Sequence, residues 1–390
     1  MKQNQLSVLS NLQVHTEKGI LKNANVVIKN HSIHSIETEK ISHADELAFP
    51  ENYHLVPGFI DLHVHGADGC DVMDASQDAL RAISRALAKE GTTGFLATTM
   101  TASSMKIEEA LCAVRDFMSA QLDVEGAAIL GVHLEGPFLS QKKAGAQRED
   151  DFLLPSVERF AHWQKISAEV IKLVTLAPEL SDSLELIRYL KQKKIIASLG
   201  HTDATYAETA AAIAAGCTHA THLFNAMRGV HQREPGAVTA ALLSDQVTAE
   251  LIVDGVHLHP AIVEMAYKLK GKNRIALVTD SMRAKCLQDG VYDLGGQQVE
   301  VKNNRASLAD GTLAGSVLKM SSAILKMMEF GKCSLSDAVM MAAENPAKSL
   351  GIFDRKGSIA VGKDADLVVL DDKLHVVLTM CGGRVVFRKL

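Results

Sequence analysis

Two histidines separated by one residue end an apolar stretch of the chain. The stretch PGFIDLHVHG begins at Pro57 and contains His63 and His65. In a β-strand, residues two apart point to the same side with Cα atoms about 7 Å apart, so both imidazoles could bind one metal ion. The alternative is a pair of core histidines satisfied by hydrogen bonds. Because Asp61 precedes the pair and a glycine-containing loop follows it, we favour metal binding.

Four further motifs place possible metal ligands at the ends of other apolar stretches. They are HLEGP with Glu135, GHT with His201, THLFNAM with His222 and TDS with Asp280. Each alone could be structural: a helix cap, a core histidine or the acidic residue that starts a loop. Together with the first pair they would bury six ionisable groups in one cavity, which requires a cation or partners to offset desolvation. Nitrogen and oxygen ligands without thiolate suit Zn, Fe, Mn or Co.

These residues can meet only if the strands that carry them end at one place. Strands alternating with helices indicate parallel βαβ units, and eight units in about 250 residues are typical of a TIM barrel, whose strand ends surround one pocket. A doubly wound open sheet is the alternative, but no Gly-x-Gly-x-x-Gly motif follows a predicted strand. We therefore predict an α/β fold with a (β/α)8 TIM barrel. The eight stretches are VPGFIDLHV, TTGFLATT, AAILGVHLEG, IKLVTLAPE, IIASLGHT, CTHATHLFNA, TAELIVDGVH and RIALVTD. Helical patterns between them include SQDALRAISRALAKEG, SSMKIEEALCAVRDFMSA, SDSLELIRYLKQKK and YAETAAAIAAG.

The two ends of the chain contain short strand patterns and turns. Because chain termini often lie close together, we predict that residues 1–54 and 352–390 form one small β-sandwich domain, and that residues 55–351 form the barrel domain. Residues 282–316 are typical of a β-hairpin inserted after the eighth strand. The helices that would close the barrel lie near 317–330 and 334–345.

The composition is that of an ordinary soluble globular protein. The 390 residues are 47% hydrophobic and 22% charged, with a net charge of −5, so no basic excess favours nucleic acid. An anionic substrate would need a local cationic pocket. The six cysteines show no Cys-x-x-Cys spacing, the start MKQNQLSVLS has no apolar leader segment, and no apolar run is long enough to span a membrane. We therefore expect a reduced, cytoplasmic protein.

Several motifs together resemble the N-acetylglucosamine-6-phosphate deacetylase family of the amidohydrolase superfamily. They are PGFIDLHVHG, HLEGPF, GHT, THLFNAM, REPG, DGVH, TDS, LAGS and GSIAVGKDADLVVLD, in the expected order over nearly the whole chain. HLEGPF with THLFNAM is specific to this family, whereas His-x-His and GKDADLV belong to the superfamily. The resemblance implies a TIM barrel with a small β-sandwich built from both ends. It also implies hydrolysis of N-acetylglucosamine 6-phosphate to glucosamine 6-phosphate and acetate, in amino-sugar catabolism and cell-wall sugar recycling.

The resemblance implies a metal centre at the motifs described above. Glu135, His201 and His222 would hold the principal ion, and His63 and His65 a second ion, with Glu135 bridging. Some members replace the first pair by Gln and Asn and use a single ion. The resemblance therefore allows one or two divalent ions per chain. Because this chain keeps both histidines, we favour two.

Amide hydrolysis also needs a proton acceptor. We predict that Asp280 is the general base: it would take the proton of the attacking water and return it to the leaving amine. Asp280 is also a predicted metal ligand. No Ser-His-Asp arrangement or Gly-x-Ser-x-Gly motif competes with this assignment.

The resemblance also implies positions that contact the sugar and its phosphate. Gln147 stands where many members have a histidine, and an amide can donate a hydrogen bond but cannot carry a proton. Arg233 and His257 are the predicted phosphate ligands, because a guanidinium pairs with phosphate in a bidentate manner. Without the resemblance, Asn225 would be a helix cap, Arg233 a surface arginine and the remaining positions turn residues. The predicted substrate-binding residues are Ala146, Gln147, Asn225, Ala226, Arg233, Asp254, His257, Leu313, Ala314 and Gly315.

Members of the family form dimers, so we expect a homodimer or a tetramer in which a neighbouring subunit completes the phosphate site. Three alternatives remain: deacetylation of N-acetylgalactosamine 6-phosphate, another amidohydrolase reaction such as cyclic-amide hydrolysis or deamination, and a catalytically silent barrel. Cyclic-amide hydrolases often bridge two metals with a carboxylated lysine, whereas here that position falls to Glu135. The silent barrel is disfavoured because no predicted ligand is missing.

Overall fold

The structure is a computed structural model that describes residues 6–39, 45–120 and 126–389. No helix within these ranges is long and apolar enough to cross a membrane. In chain order the strands are β1 (Leu6–Thr16), β2 (Gly19–Lys29), β3 (Ser32–Glu37), β4 (Glu46–Ala48), β5 (His54–Pro57), β6 (Phe59–Val64), β7 (Gly66–Ala67), β8 (Cys70–Asp71), β9 (Thr92–Thr99), β10 (Ala128–Glu135), β11 (Ile171–Leu176), β12 (Ile196–Leu199), β13 (His219–Ala220), β14 (Thr248–Leu251), β15 (Ile275–Leu277), β16 (Gly290–Leu294), β17 (Gln297–Lys302), β18 (Arg305–Ser307), β19 (Leu367–Leu370), β20 (Val376–Cys381) and β21 (Arg384–Arg388). The helices are α1 (Gln77–Ala88), α2 (Ser104–Ala120), α3 (Val157–Ile166), α4 (Ser183–Gln192), α5 (Tyr206–Ala215), α6 (Ala237–Leu243), α7 (Pro260–Lys270), α8 (Met320–Gly331), α9 (Leu335–Ala342) and α10 (Glu344–Ser349).

Eight parallel strands form the central barrel. Their order is β6-β9-β10-β11-β12-β13-β14-β15, so neighbours in the sheet follow each other along the chain. The last and first strands meet through an isolated parallel bridge between Val64 and Ser281. The amide of Asp280 donates to the carbonyl of His63 at 2.9 Å, and the amide of His65 donates to the carbonyl of Ser281 at 2.9 Å. The predicted (β/α)8 barrel is therefore confirmed.

Local sequence signals explain why the barrel helices begin where they do. Ser76 caps α1 by accepting from the amide of Ala79, and Thr205 with Glu208 forms a reciprocal capping box at α5. Both helices match predicted helical patterns. The turn from α1 into β9 needs Gly91, whose φ is +90° and where a Cβ would lie 2.6 Å from the ring of Phe59.

The sixth predicted strand is much shorter than the sequence indicated. The apolar pattern predicted a strand over residues 217–226, but only His219–Ala220 pairs with its neighbours. His222, Phe224 and Ala226 have φ values of 33°, 82° and 49°, which a strand cannot contain. The chain turns there, and this turn directs His222 into the barrel mouth.

The terminal segments share one eight-stranded sheet with the order β21-β20-β19-β5-β1-β2-β3, in which β4 also pairs with β1. Register shifts within β1, between Leu9 and Val14, bend this long strand, as β-bulges do. The sheet has a hydrophobic cluster of its own, which includes Leu12, Val26 and Leu367. The terminal β domain is confirmed in this sense. The domain bounds at 54/55 and 351/352 stay a prediction.

The insertion after the eighth strand contains three antiparallel strands, β16 to β18, where the sequence predicted a hairpin. The predicted helix near 334–345 is divided into α9 and α10, because Ala343 has a φ of −134° and breaks the helical path. The predicted helix near 317–330 corresponds to α8. Together, α8 to α10 follow the barrel strands, as expected.

A buried ion pair connects the turn between α1 and β9 with the loop after β15. Lys285 is fully buried, and its ammonium donates to Glu90 Oε1. Removing one member of a buried pair leaves an uncompensated charge.

We expect Lys285→Met to lower the free energy of unfolding by about 3–5 kcal/mol, measured by denaturant and thermal unfolding. A double variant, Lys285→Met with Glu90→Met, should recover most of this loss; a single variant as stable as the wild type would contradict the prediction.

Candidate metal centre and active site

Six buried side chains meet at the mouth of the barrel. Each stands at or just beyond the carboxyl end of a barrel strand, where parallel strands present functional side chains. All six are less than a tenth exposed. They are His63, His65, Glu135, His201, His222 and Asp280, the predicted metal ligands.

The first of two adjacent groups consists of His63, His65 and Asp280. The Nε2 atoms of the two histidines are 3.1 Å apart. Asp280 Oδ1 lies 3.4 Å from His63 Nε2 and 3.3 Å from His65 Nε2. Three donor atoms from the first and last barrel strands therefore surround a space suited to one cation.

The second group consists of Glu135, His201 and His222. The Nε2 atoms of the two histidines are 3.1 Å apart. Glu135 Oε1 lies 3.4 Å from His201 Nε2 and 3.2 Å from His222 Nε2. These three atoms lie close enough together to bind one shared cation.

Glu135 also reaches the first group. Its Oε1 lies 3.4 Å from His63 Nε2, and its Oε2 lies 3.2 Å from His65 Nε2. One carboxylate therefore stands between both groups, which is the position of a bridging ligand. Nitrogen and oxygen donors alone, all of them buried, fit divalent cations of the Zn, Fe, Mn or Co class.

The electrostatics of the centre favour negative carboxylates. Burial alone would raise the pKa of Glu135, but neighbouring His63 and the hydrogen bonds to His201 and His222 hold it well below its usual value. Burial would likewise raise the pKa of Asp280, but His63 and His65 hold it below its usual value. Burial would lower the pKa of His65, whereas hydrogen bonds to Asp280 and Glu135 raise it to about 9. The carboxylates thus attract positive charge.

Backbone strain accompanies three of these ligands. His201, His222 and Asp280 have φ values of 46°, 33° and 49°, in the left-handed region that non-glycine residues seldom adopt. His201 is further held by its Nδ1, 2.9 Å from the carbonyl oxygen of Lys143. Packing therefore maintains these side chains in an orientation that the backbone alone would not favour.

A cavity of about 400 Å³ opens directly above the centre. Its size suits a small sugar ligand. The metal-centre residues His65, Glu135, His201, His222 and Asp280 form its floor. The predicted substrate-binding residues that line it are Ala146, Gln147, Asn225, Ala226, His257, Leu313 and Gly315.

Comparison with known proteins agrees with this geometry. The sequence model of the amidohydrolase family matches residues 54–386. The N-acetylglucosamine-6-phosphate deacetylase of Bacillus subtilis (strain 168) is 47% identical over 383 residues, 97% of each chain. The chain belongs to the N-acetylglucosamine-6-phosphate deacetylase family of amidohydrolases. The family is metal-dependent, and the two groups described above are the candidate metal sites in this chain.

Solved structures of this deacetylase family share the whole fold. The enzyme from Pasteurella multocida superposes with a TM-score of 0.92 at 30% identity, covering 98% of this chain and 99% of that chain. A mutant of the enzyme from Mycobacterium smegmatis, in complex with N-acetyl-D-glucosamine-6-phosphate, superposes with a TM-score of 0.91 at 33% identity, with the same coverage. The barrel and the terminal β domain therefore belong to one shared architecture.

The structure does not bring three of the predicted substrate residues to the cavity. Arg233 is exposed and does not line it. Asp254 lies behind His257, whose Nδ1 is 2.7 Å from Asp254 Oδ2, so it orients that imidazole. Ala314 is buried in a small apolar cluster with Met282. Within one subunit, the geometry therefore does not place these three residues in contact with a ligand in the cavity.

Sequence reasoning missed several residues of the cavity wall. Lys142 and Lys143 lie shortly before Ala146 in the loop after β10 and add positive charge. Their signal was the KK in KKAGAQ, beside a stretch already implicated by the family resemblance. Ala144 and Gly145 in the same loop also line the wall. Met100, just after β9, and Leu294 and Thr312, in the insertion after the eighth strand, complete the missed residues.

Gln147 contacts the metal centre directly. The amide of Thr101 donates to its Oε1 at 2.9 Å, and its Nε2 donates to Glu135 Oε2 at 2.8 Å. The backbone donor fixes which end of the side chain is the oxygen, so the amide nitrogen points to the bridging carboxylate. In this deacetylase family member, Gln147 therefore restrains Glu135 as well as lining the cavity.

The two groups predict the number of ions. In the metal-loaded protein we expect two divalent ions per chain, and one in His63→Ala or His65→Ala, because each substitution removes a donor from the first group only. Elemental analysis after loading with excess metal measures this count. His162→Ala, at an exposed position on α3, is the control and should retain two. A wild type that never exceeds one ion would refute the two-ion centre.

Proposed function

We propose that the chain hydrolyses the N-acetyl group of N-acetylglucosamine 6-phosphate, releasing glucosamine 6-phosphate and acetate. The observation that carries this proposal is a cavity of about 400 Å³, a size that suits a small sugar, whose floor is formed by residues of both groups of metal ligands, including Asp280. The family relationship supplies the substrate class. We propose two divalent ions per chain, and the ligands suit Zn, Fe, Mn or Co.

Asp280 performs the proton transfers in this reaction. A divalent cation, when bound, makes water acidic enough to act as a nucleophile and stabilises the oxyanion that develops. The pKa of Asp280 lies below its usual value, so its carboxylate is ionised at neutral pH and can accept the proton of the attacking water. The same carboxyl group then returns this proton to the amine of the sugar as the C–N bond breaks.

Positive charge at the cavity rim orients the phosphate. His257 is held at Nδ1 by Asp254, which leaves its Nε2 for the ligand, and Lys142 and Lys143 also line the wall. Arg233 is exposed in its own subunit, so we propose that it reaches the phosphate of a neighbouring subunit in a homodimer. A tetramer built from such dimers would satisfy the same geometry. The proposed compartment is the cytoplasm.

Release of free amine tests the proposed reaction. The metal-loaded protein should release glucosamine 6-phosphate from its N-acetyl derivative faster than it acts on N-acetylgalactosamine 6-phosphate. Asp280→Asn should lower kcat by several orders of magnitude, because an amide cannot accept the proton. Metal analysis of the variant separates loss of the base from loss of an ion. Preference for the galactose isomer would favour the alternative substrate, and full activity of the variant would exclude Asp280 as the base.

The phosphate contact predicts a substrate-dependent effect of Arg233. A charge-assisted hydrogen bond contributes about 1.5–3 kcal/mol, so Arg233→Ala should lower kcat/KM for the phosphorylated sugar roughly 10- to 100-fold. Activity on unphosphorylated N-acetylglucosamine should barely change. Arg188→Ala, at an exposed position on α4, is the matched control. An equal loss on both sugars would make Arg233 structural and refute the phosphate contact.

A further inference from the structure

A buried carboxylate that the reaction does not use lies behind the metal centre. Glu250, on β14, is 0% exposed. Within the described part of the chain, neither of its carboxylate oxygens has a hydrogen-bond partner. A buried acidic group without a partner costs several kcal/mol, so its presence needs an explanation.

A polar atom close to this carboxylate belongs to a ligand of the first metal group. Glu250 Oε2 lies 3.8 Å from His63 Nδ1, and that nitrogen also has no hydrogen-bond partner among the described residues. The opposite ring atom, His63 Nε2, faces Asp280 and Glu135. The imidazole therefore stands between the metal centre on one side and Glu250 on the other.

Another neighbour of His63 cannot replace Glu250. The ring of His133 lies edge-on to that of His63, with centroids 4.5 Å apart. Its own nitrogens are already engaged, Nδ1 with the carbonyl of Leu62 at 3.1 Å and Nε2 with Thr175 Oγ1 at 2.7 Å. Glu250 is thus placed to accept a hydrogen bond from His63 Nδ1.

The strand that carries Glu250 is itself attached to the centre. The amide of Leu223, next to His222, donates to the carbonyl of Glu250 at 2.8 Å. A histidine that binds a cation through Nε2 carries its hydrogen on Nδ1, and a carboxylate acceptor fixes that tautomer and raises the basicity of the ligand atom. The separation of 3.8 Å exceeds hydrogen-bond distance, so the hydrogen bond requires these two atoms to move closer together.

We propose that Glu250 is a positioning residue for the metal centre: by accepting a hydrogen bond from His63 Nδ1, it sets the affinity of the His63 group for a divalent cation. The inference rests on the proposed two-ion function but concerns a residue that contacts neither substrate nor ion. A bound cation would in turn offset the desolvation cost of the buried Glu250 carboxylate. The centre and this carboxylate therefore stabilise each other.

Binding of Mn²⁺ to the stripped full-length chain tests this role. We expect Glu250→Leu to weaken one class of Mn²⁺ site by roughly 10- to 100-fold, the usual effect of losing such a partner, and to leave the other class unchanged. Glu250→Gln retains an acceptor oxygen without the charge, so its loss should be smaller. Thr248→Val, two residues earlier on the same strand and also buried, is the matched control and should bind as the wild type does. Equilibrium dialysis gives the affinities, and the paramagnetic spectrum shows whether two ions are coupled.

Unfolding of the metal-free proteins separates this role from a structural one. Because Glu250→Leu removes an unpartnered buried carboxylate, the metal-free variant should be at least as stable as the metal-free wild type. Lower stability with unchanged Mn²⁺ affinities would overturn the proposal and make Glu250 structural. If wild type and Glu250→Leu both bind two ions with the same affinities, the role of Glu250 is overturned and the two-ion centre stands. If the wild type binds one ion and Glu250→Leu binds it more weakly, the role of Glu250 is supported and only the two-ion count is refuted. If the wild type binds one ion and the variant binds it equally well, both the role of Glu250 and the two-ion count are refuted.

Discussion

The carboxylate of Glu135 is the contact around which this barrel is arranged. Four imidazole nitrogens lie 3.2–3.4 Å from its two oxygens. The imidazoles come from barrel strands on both sides of β10, which carries Glu135. The ends of these strands must therefore converge before the imidazoles can offset the desolvation cost of the carboxylate. A buried carboxylate without such partners would destabilise the fold by several kcal/mol. Gln147 adds a neutral donor to the same group, which restrains its orientation without adding charge.

Closure of the barrel and geometry of the centre depend on the same hydrogen bonds. The first and last strands meet where the amide of Asp280 donates to the carbonyl of His63 and the amide of His65 donates to that of Ser281. His63 and the predicted base Asp280 are thus backbone partners, and His65 pairs with Ser281, the residue after that base. Asp280 has a left-handed backbone conformation at this position. A change that loosens the closure would therefore alter the donor positions as well as the fold.

The sequence was informative where fold and site depend on local patterns. Period-two spacing predicted that His63 and His65 share a face, and alternation of apolar strands with helices predicted a barrel whose strand ends bring the six ligands together. The short sixth strand was not predictable, since the apolar pattern continues through His222 while the backbone turns. Contacts between distant segments leave no local sign either. An acidic residue among the apolar ones of TAELIVDG is unusual, but only the fold shows that Glu250 neighbours His63.

Polar groups inside the barrel differ in how well they are satisfied. Away from the ligand atoms, Thr175 and Thr221 hydrogen-bond at 2.7 Å, and Ser198 reaches Thr221 at 2.6 Å, so this network stabilises the interior without a ligand. Glu250 has no such partner among the described residues, although it is equally buried. Natural proteins retain unfavourable groups mainly where function requires them. The unsatisfied carboxylate beside His63 is therefore better explained by the metal centre than by stability of the barrel.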